Sequence, residues 1–463
     1  MSGLGPIRRV LVANRGEIAL RVFRTCKALG LETAAVYSDA DAEAAHVQAA
    51  DRAVHIGPAA ARESYLVADK VLAAAREAGA DAIHPGYGFL SENAAFAEAV
   101  AAAGLVWVGP RAEVIRAMGD KQRARDLAEQ AGVLVVPGSR RFAEGDTEGL
   151  AAEAERVGYP LLVKAAAGGG GIGMRRVDAP ATLADTVRAT QSMAAKAFGD
   201  GAVFLERFVP KARHVEIQVF GYGDGTAVHL FERDCSLQRR FQKVIEESPA
   251  PGLPEPVRAA MAEAALRLAR AVRYEGAGTV EFIVDAESFA FFFLEMNTRI
   301  QVEHAVTEMI TGRDLVAMQL ELAAGQPGRL AQEAIAAKGH AIECRLYAEN
   351  PAKMFMPSPG PLRVFRAPEA ARDLRIDSGY REGDLVTPFY DPMLAKVIAW
   401  GPDRTAARRR AAHALRAFAV EGIATNREFL LACLSDEAFA SGDVHTGFID
   451  SRRAQLLATG DKP

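Results

Sequence analysis

Residues 276–304 constrain the fold of this chain more than any other stretch, because two apolar runs flank a short polar turn there. The runs Thr279–Val284 and Phe289–Met296 are rich in aromatic and β-branched residues, and the turn Asp285–Ser288 separates them. This composition predicts two antiparallel strands joined as a β-hairpin. The chain must therefore contain a sheet in which acidic side chains interrupt two apolar arms.

Two of those acidic residues are expected to face each other. A turn centred near Ser288 places Glu281 opposite Glu295, and strict alternation puts Phe293, Glu295 and Asn297 on one face of the return arm. Like charges opposite one another on a sheet repel, and partial burial strengthens the repulsion. Either a cation lies between the two carboxylates or one of them holds a proton.

A magnesium site is the sharper interpretation of this pair. Two carboxylates and the amide oxygen of Asn297 are hard oxygen ligands of the kind that Mg²⁺ uses when it also bridges substrate phosphates. If the chain stays extended, Arg299, Gln301 and Glu303 continue the same face and add anion-binding and proton-accepting groups. The simpler alternative is a pair of edge carboxylates that face water.

Composition excludes several classes of protein. A chain of 463 residues, half hydrophobic and a quarter charged, predicts a globular protein of about three domains. A formal net charge of −4 argues against a nucleic-acid surface. The N-terminus lacks the apolar region of a signal peptide, and no apolar run is long enough for a membrane span. Four widely spaced cysteines without a CxxC pattern are typical of a reducing cytoplasm.

The first unit, placed at residues 1–112, alternates strands and helices and predicts an α/β fold with a parallel, doubly wound sheet. Its first turn, ANRGEIA, has one glycine where a dinucleotide site needs GxGxxG, which disfavours NAD. In the loop HPGYGFLSEN, Ser91 is predicted to cap the next helix. Residues 113–135 are expected to form linker helices.

A second unit, placed at residues 136–208, has the motif YPLLVKAAAGGGGIGM at its centre. A buried strand is predicted to end on Lys164, and Gly168–Gly171 follow it as a loop whose N–H groups can cradle phosphate. Burying the lysine charge requires an anionic partner. We interpret this unit as a lid that covers phosphate, with a plain flexible linker as the alternative.

The remaining residues, 209–463, are expected to form one larger unit, with a distinct C-terminal region from about residue 338. A hairpin with a Gly-Asp-Gly turn places His214 and Glu216 on one face. Lys243 follows in a basic cluster, and Arg345 lies on a later strand, HAIECRLYAEN. A solvated face explains His214 and Glu216 as well as ligand binding does, and a basic cluster such as that of Lys243 usually faces water or pairs with local carboxylates.

Eight strings occur in a fixed order along the chain: ANRGEIALR, HPGYGFLSEN, MGDK, KAAAGGGG, RHVEIQV, ERDCSLQRR, EMNTRIQVEH and HAIECR. Together they resemble the biotin carboxylase family of the ATP-grasp superfamily, from about residue 7 to about residue 450. The resemblance implies an N-terminal α/β domain, a mobile glycine-rich lid and a C-terminal domain that completes the ATP-grasp fold. It also implies MgATP-dependent activation of bicarbonate as carboxyphosphate, followed by carboxylation of biotin on a carrier domain.

The resemblance further implies a role for each matching residue. It assigns the nucleotide to Lys121, Lys164, the backbone of Gly169, Gly170 and Gly171, Glu206, His214, Gln238 and Ile283. It assigns Mg²⁺, with Mn²⁺ as a possible substitute, to Glu281, Glu295 and Asn297. It assigns bicarbonate to Lys243, Arg299, Gln301 and the Val302 backbone. It makes Glu303 the general base, and it places Arg345 at the enolate-like oxygen of biotin, with Tyr87 nearby.

The expected partners follow from the same resemblance. We expect a separate biotin carboxylase subunit of a multi-subunit acyl-CoA carboxylase of the acetyl-CoA type, with a role in fatty acid biosynthesis. It would act with a biotin carboxyl carrier protein and carboxyltransferase subunits. Biotin is the carrier-bound substrate, a homodimer is the expected oligomer, and no nucleic acid or membrane is involved.

Four residues depart from the family pattern. Phe241 replaces a histidine, Ala305 a proline, Ile172 a common basic residue and Arg207 a lysine. The first three motivate one alternative, an ATP-binding regulatory subunit with weakened catalysis. The other alternative is an ATP-grasp ligase for a different carboxylate.

Overall fold

The N-terminal unit is built on a five-stranded parallel sheet, as predicted. The computed structural model describes residues 4–166 and 173–458. The strands of this unit are β1 (Arg9–Val12), β2 (Glu32–Ser38), β3 (Arg52–Gly57), β4 (Ala82–His84) and β5 (Val106–Trp107). The helices are α1 (Gly16–Ala28), α2 (Ala45–Ala49), α3 (Ala68–Ala78) and α4 (Ala94–Ala102). The strand order is β3-β2-β1-β4-β5. The chain builds the sheet outward from β1 first on one side and then on the other, so the loops after the neighbouring parallel strands β1 and β4 meet at one edge.

Two helices lead into a smaller unit with a core of its own. These are α5 (Ala112–Gly119) and α6 (Lys121–Gln130). The smaller unit contains α7 (Leu150–Val157), β6 (Leu161–Ala165), β7 (Met174–Val177), α8 (Leu183–Phe198) and β8 (Val203–Arg207). Its three strands form an antiparallel sheet in the order β7-β6-β8. Phe142, Val163 and Leu205 are among the buried residues of its core.

One continuous eight-stranded antiparallel sheet dominates the rest of the chain. The strands of this part are β9 (Ala212–Tyr222), β10 (Ala227–Arg239), β11 (Gln242–Ser248), β12 (Glu275–Asp285), β13 (Phe291–Asn297), β14 (His340–Tyr347), β15 (Glu349–Asn350), β16 (Met356–Pro357), β17 (Gly360–Pro361), β18 (Val364–Arg366), β19 (Leu374–Ser378), β20 (Leu385–Val386), β21 (Met393–Gly401) and β22 (Ala419–Glu421). The large sheet has the order β13-β12-β9-β10-β11-β14-β21-β19. The other six strands pair in short two-stranded ladders.

Helices cover this sheet on both sides. They are α9 (Glu255–Ala271), α10 (His304–Thr311), α11 (Leu315–Ala323), α12 (Arg404–Ala417), α13 (Arg427–Ser435), α14 (Glu437–Ser441) and α15 (Phe448–Ala458). α9 packs on β9 and β10, whereas α12 packs on β14 and β21. α10 crosses the middle of the sheet and contacts β10, β11, β14 and β21. It therefore covers the strands that carry the polar residues of the site.

The predicted hairpin is formed by β12 and β13, and Glu281 pairs with Glu295 across it. The register shifts by one residue between Glu281 and Phe282, which marks a β-bulge. Phe293 consequently pairs with Phe282, and both side chains lie in the apolar core. The prediction that Phe293 shares a face with Glu295 was therefore wrong, because alternation holds only through an unbroken strand.

Two further local predictions were wrong. Ser91 does not cap the next helix, since Asn93 does so by accepting a hydrogen bond from the Phe96 N–H. The stretch that follows Asn297 is not extended as far as Glu303, because a turn intervenes and Glu303 immediately precedes α10. Within the described part of the chain, no helix combines the length and apolarity needed to cross a membrane.

Candidate functional site

Lys243 lies at the centre of the polar residues on the large sheet. Its ammonium is 2.8 Å from Glu216, 2.9 Å from Glu281 and 2.7 Å from Glu303. These carboxylates come from β9, β12 and the residue before α10. Burial alone would lower the pKa of Lys243, but the surrounding anionic groups raise it well above its usual range. The lysine is therefore a permanent cation that joins three separate segments.

Glu281 is the most heavily coordinated of the three carboxylates. Its Oε1 accepts hydrogen bonds from Lys243, from the Asn297 amide at 3.0 Å and from the Gln301 amide at 3.1 Å. Its Oε2 lies 2.9 Å from His214 Nε2. Burial opposes ionisation, but the charges of Lys243 and His214 hold the pKa of Glu281 well below its ordinary value. Glu281 is thus ionised beside Glu295.

The Glu281–Glu295 pair meets the conditions for a cation site. Nearby protein atoms and the charge of Glu281 raise the pKa of Glu295, although part of this residue is open to solvent. Among the ion pairs between described residues, two involve Glu281 and none involves Glu295, which keeps oxygen donors available to an ion. The Asn297 amide oxygen lies 3.1 Å from Arg299 Nη2. Two carboxylates and an amide oxygen fit Mg²⁺ by donor chemistry.

Arg299 lines the same cleft and is held by several acceptors. It donates to Glu92 at 3.0 Å and to the Gln301 side chain at 2.8 Å. Burial would lower the pKa of Arg299, but Glu92 and Glu303 raise it. Glu92 was missed by sequence reasoning, although it lies within the string HPGYGFLSEN that was singled out. The guanidinium has its planar fork near Gln301, which suits a planar oxyanion.

Glu303 is fully buried at the entry to α10. Besides Lys243, it accepts a hydrogen bond from Arg345 Nη2 at 3.0 Å. Burial raises its pKa, but Lys243, Arg345 and Arg233 outweigh this and hold the pKa of Glu303 well below its usual range. Glu303 is therefore ionised near neutral pH, which is the state that a proton acceptor requires.

Arg345 pairs with this carboxylate and lies near enough to the N-terminal unit to affect Tyr87 electrostatically. It lies on β14 and also approaches Glu246 Oε1 to 2.5 Å. The Tyr87 hydroxyl donates a hydrogen bond to Glu17 on α1. Burial and Glu17 raise the pKa of Tyr87, and the positive charge of Arg345 opposes them. Tyr87 and Arg345 are thus electrostatic neighbours across the junction of the two units.

The predicted nucleotide side lies towards the smaller unit. Lys164 Nζ is 2.5 Å from Glu206 Oε1, and Arg125 approaches the other oxygen at 3.4 Å. A cavity of about 330 Å³ borders on Lys121, Arg125 and Phe204. Burial and the charge of Lys164 lower the pKa of Lys121. Cationic groups therefore gather at this cavity, as phosphate binding requires.

His214 lies between Gln238 and Glu281 on the large sheet. The Gln238 amide lies 2.7 Å from His214 Nδ1, and Ile283 is the register partner of His214 on β12. Burial would lower the pKa of His214, but Glu281 raises it. Glu216 was not assigned a role from the sequence, although its shared face with His214 could have revealed it.

Part of the predicted glycine loop lies outside the described residues, whereas three of the four residues that depart from the family pattern are described. The backbone of Gly169, Gly170 and Gly171, and Ile172, fall within residues 167–172, which are not described. Phe241 is 62% exposed and has a φ of +67°, in the left-handed region. Ala305 is buried in the first turn of α10. Arg207 donates to the Val157 carbonyl at 2.9 Å.

Models of three protein families match successive parts of the chain. Residues 6–115 match the biotin carboxylase N-terminal domain, and residues 343–451 match the biotin carboxylase C-terminal domain. Residues 120–331 match the ATP-binding domain of the carbamoyl-phosphate synthase L chain. The matches follow one another without overlap and leave little of the chain uncovered.

Individual relatives cover nearly the whole chain. Biotin carboxylase 1 of Bacillus subtilis is 48% identical over 445 residues, which are 96% of this chain and 98% of that protein. The mitochondrial methylcrotonoyl-CoA carboxylase subunit alpha of Arabidopsis thaliana is 48% identical over 457 residues, which are 99% of this chain. The chain spans 62% of the length of that relative.

A solved structure shares the whole architecture. It is the biotin carboxylase domain dimer of the Hydrogenobacter thermophilus 2-oxoglutarate carboxylase, in complex with MgADP, ADP and bicarbonate. The TM-score is 0.91 at 41% identity, and the match covers 97% of this chain and 98% of that chain. The predicted arrangement of an N-terminal α/β domain, an ATP-grasp domain and an antiparallel C-terminal domain is confirmed.

Proposed function

The chain belongs to the biotin carboxylase family, and we propose that it uses ATP and bicarbonate to carboxylate biotin on a biotin carboxyl carrier protein. An ATP-dependent ligase of this kind must bring a metal-phosphate region and a bicarbonate region together. The observation that carries the proposal is the position of Lys243 between Glu281 and Glu303. One ammonium contacts both the carboxylate proposed for the metal and the carboxylate proposed as the base.

The first chemical step needs a proton acceptor beside bicarbonate. An oxygen of bicarbonate attacks the γ-phosphorus of ATP, the bond from that phosphorus to the bridging oxygen breaks, and carboxyphosphate and ADP result. Glu303 takes the proton of bicarbonate in this proposal, since it is ionised and lies beside Lys243. An anion that engages Lys243 weakens the attraction of that lysine for Glu303, which raises the proton affinity of Glu303 when it is needed.

The second step needs a cation beside biotin. Carboxyphosphate releases CO₂ and phosphate, the released phosphate takes the proton from N1 of biotin, and N1 then attacks CO₂. The negative charge that develops on the ureido oxygen of biotin is assigned to Arg345, because its guanidinium already faces Glu303. A preorganised cation in a buried site stabilises such charge more strongly than water does.

The residues proposed for Mg²⁺ are Glu281, Glu295 and Asn297. Bound Mg²⁺ would offset negative charge on the phosphates of ATP. Lys121 and Lys164 are proposed to hold the same phosphates from the smaller unit, where Lys164 now contacts Glu206. A substrate phosphate would compete with Glu206 for this lysine.

The proposal also covers the partner subunits of the protein and the compound that finally accepts the carboxyl group. We propose an acyl-CoA carboxylase with separate carboxyltransferase subunits, and acetyl-CoA as the acceptor stays a prediction from sequence. Relatives of similar identity belong to carboxylases named for methylcrotonoyl-CoA and for 2-oxoglutarate. Dimerisation is supported by the related domain, which is described as a dimer. A cytoplasmic location is proposed from the four free, buried cysteines.

ADP release by purified protein tests the proposal directly. The assay contains MgATP, with and without bicarbonate, and with and without free biotin. Turnover that requires bicarbonate and rises with biotin is expected. Turnover indifferent to both would indicate an ATP-grasp ligase for another carboxylate. Nucleotide binding without turnover, even with a biotinylated carrier protein, would favour the regulatory alternative.

A further inference from the structure

Two consecutive peptide groups between Gln301 and Glu303 are held by buried side chains that have no role in the proposal so far. His304 Nδ1 lies 2.7 Å from the Gln301 carbonyl oxygen, and Lys396 Nζ donates to the Val302 carbonyl at 2.8 Å. A carbonyl can only accept a hydrogen bond, so Nδ1 of His304 carries the proton. Both His304 and Lys396 are fully buried.

These contacts fix the direction of two N–H groups. In a planar trans peptide the C=O and the following N–H point in opposite directions. The Val302 N–H is therefore turned away from His304, and the Glu303 N–H is turned away from Lys396. Among residues 4–166 and 173–458, neither N–H donates to an acceptor of the protein. Adjacent N–H groups without acceptors are suited to an anion.

The charge around His304 keeps its donor role constant. Burial and the cations Lys396, Arg21 and Arg375 lower the pKa of His304 well below its ordinary value, despite nearby Asp377. The ring is therefore neutral, and its single proton stays on the nitrogen that faces the Gln301 carbonyl. Lys396 stays charged, because its ion-pair partners, Glu17 first and then Asp377, help to outweigh the effect of its burial and raise its pKa.

Lys396 also reaches towards the biotin side. Its ammonium lies 3.1 Å from Glu17 Oε1, the same carboxylate oxygen that accepts the Tyr87 hydroxyl. Lys396 is also the register partner of Arg345 on the neighbouring strand. One buried ammonium thus contacts the bicarbonate segment directly and Tyr87 through a single carboxylate.

We propose that His304 and Lys396 are positioning residues, which orient the Val302 and Glu303 N–H groups towards bicarbonate. Lys396 also fixes the position of the Tyr87 side chain through their shared partner, Glu17. The inference rests on the proposed function, since it takes bicarbonate as the anion. It assigns different consequences to the two residues. Loss of His304 affects bicarbonate alone, whereas loss of Lys396 affects bicarbonate and biotin.

Steady-state kinetics with the full chain separates these roles. His304→Leu should raise KM for bicarbonate about tenfold, because a hydrogen bond to a charged group contributes roughly 1.5–3 kcal/mol. KM for ATP and KM for free biotin should stay within about twofold of the unaltered protein. His304→Asn keeps an N–H donor near the Gln301 carbonyl and should restore KM for bicarbonate.

Lys396→Met should raise KM for both bicarbonate and free biotin while leaving KM for ATP unchanged. Because this change leaves Glu17 without its ammonium, the double variant Lys396→Met with Glu17→Gln restores the charge balance and should show the same shift. Arg404→Met is the matched control, since Arg404 forms a largely buried ion pair with Glu247 on the opposite side of the sheet. The control should lower Tm without shifting any KM.

A readout without turnover completes the test. The rise in Tm produced by bicarbonate in the presence of MgADP should be smaller in His304→Leu than in the unaltered protein. Equal bicarbonate KM values and equal bicarbonate-induced Tm shifts would overturn this inference and leave the proposed function intact. A lack of bicarbonate dependence in the unaltered protein would overturn the proposed function and this inference with it.

Discussion

Glu246 and Glu343 lie directly opposite each other on the adjacent antiparallel strands β11 and β14, and both are fully buried. Neither Glu343 oxygen has a hydrogen-bond partner among the described residues. Burial is the main cause that raises the pKa of Glu246 to about 7 and the pKa of Glu343 well above its usual range, and the charge of Glu246 adds to the effect on Glu343. At least one of the two therefore holds a proton in the folded protein.

This relationship predicts how stability depends on pH. A carboxyl with a raised pKa binds its proton more tightly in the folded state, so folding loses free energy as the pH rises above the unfolded value of 4.5 towards the folded pKa. Glu343→Gln removes one ionisable group and offers Glu246 a donor. The free energy of unfolding should therefore fall less in this variant than in the unaltered protein as the pH rises from the unfolded value of 4.5 to the folded pKa of Glu246, about 7. Parallel pH profiles of urea unfolding would contradict the expectation.

Removing Lys243 should destabilise the fold strongly. Lys243→Met leaves Glu216, Glu281 and Glu303 buried without their shared cation, and breaking a buried pair typically costs about 3–5 kcal/mol. Acidification should recover part of the loss, because the three carboxyls then take up protons more readily. Lys211→Met is a suitable control, since the Lys211–Asp443 pair is exposed and should contribute at most about 1 kcal/mol. Urea unfolding of both variants measures the difference.

Replacing the proposed base should separate chemistry from binding. Glu303→Gln should reduce turnover by about 10²–10⁴-fold, the usual contribution of a general base, with ATP affinity little changed. Bicarbonate-dependent ADP release and nucleotide titration provide the two measurements. Unaltered activity per folded molecule, together with a lower Tm, would show that Glu303 has only a structural role.

Glu295→Gln should have opposite effects with and without metal. Without Mg²⁺ the variant should be more stable, because a negative charge opposite Glu281 is removed. With MgADP the gain in Tm should be smaller than in the unaltered protein, since one proposed carboxylate ligand is lost. Thermal unfolding with and without MgADP tests both expectations, and an undiminished gain with MgADP would remove Glu295 from the metal site.

Phe241→His tests whether the departure from the family pattern weakens nucleotide binding. If the phenylalanine has cost a contact, the histidine variant should bind ATP more tightly without a change in bicarbonate dependence. Because Phe241 is exposed, its replacement should leave the packing of the core intact. Phe241→Asn is the control for backbone conformation, because asparagine tolerates the left-handed φ of +67° better than phenylalanine. Equal ATP affinities in all three proteins would contradict the prediction.

Much of the fold followed from local patterns. Alternation of strands and helices predicted the parallel N-terminal sheet, and the polar turn predicted the β12–β13 hairpin with Glu281 opposite Glu295. These features depend on neighbours a few residues apart, so periodicity and turn residues reveal them. The assignments of Lys121 and Tyr87 came instead from resemblance to the family.

The bulge at Phe282 shows where such reasoning fails. A single extra residue in β13 places Phe293 on the core face, and the alternation of apolar and polar side chains in the sequence does not indicate this bulge. The turn before α10 likewise ended the extended segment that was expected to reach Glu303. The bulge depends on how β13 pairs with β12, and the turn depends on how the chain enters α10. Neither can be read from composition.

The sequence by itself determined which elements form and which residues can supply the chemistry, because both depend on side-chain type and local spacing. The tertiary structure decided that Lys243 contacts three carboxylates from separate segments, that Glu246 faces Glu343, and that Lys396 holds the Val302 carbonyl. These contacts follow from strand order and register in one eight-stranded sheet, and from the turn before α10, which packs on that sheet. They join residues that lie tens of positions apart in the sequence. The pKa values of these residues depend on burial between packed layers and on the charges brought beside them.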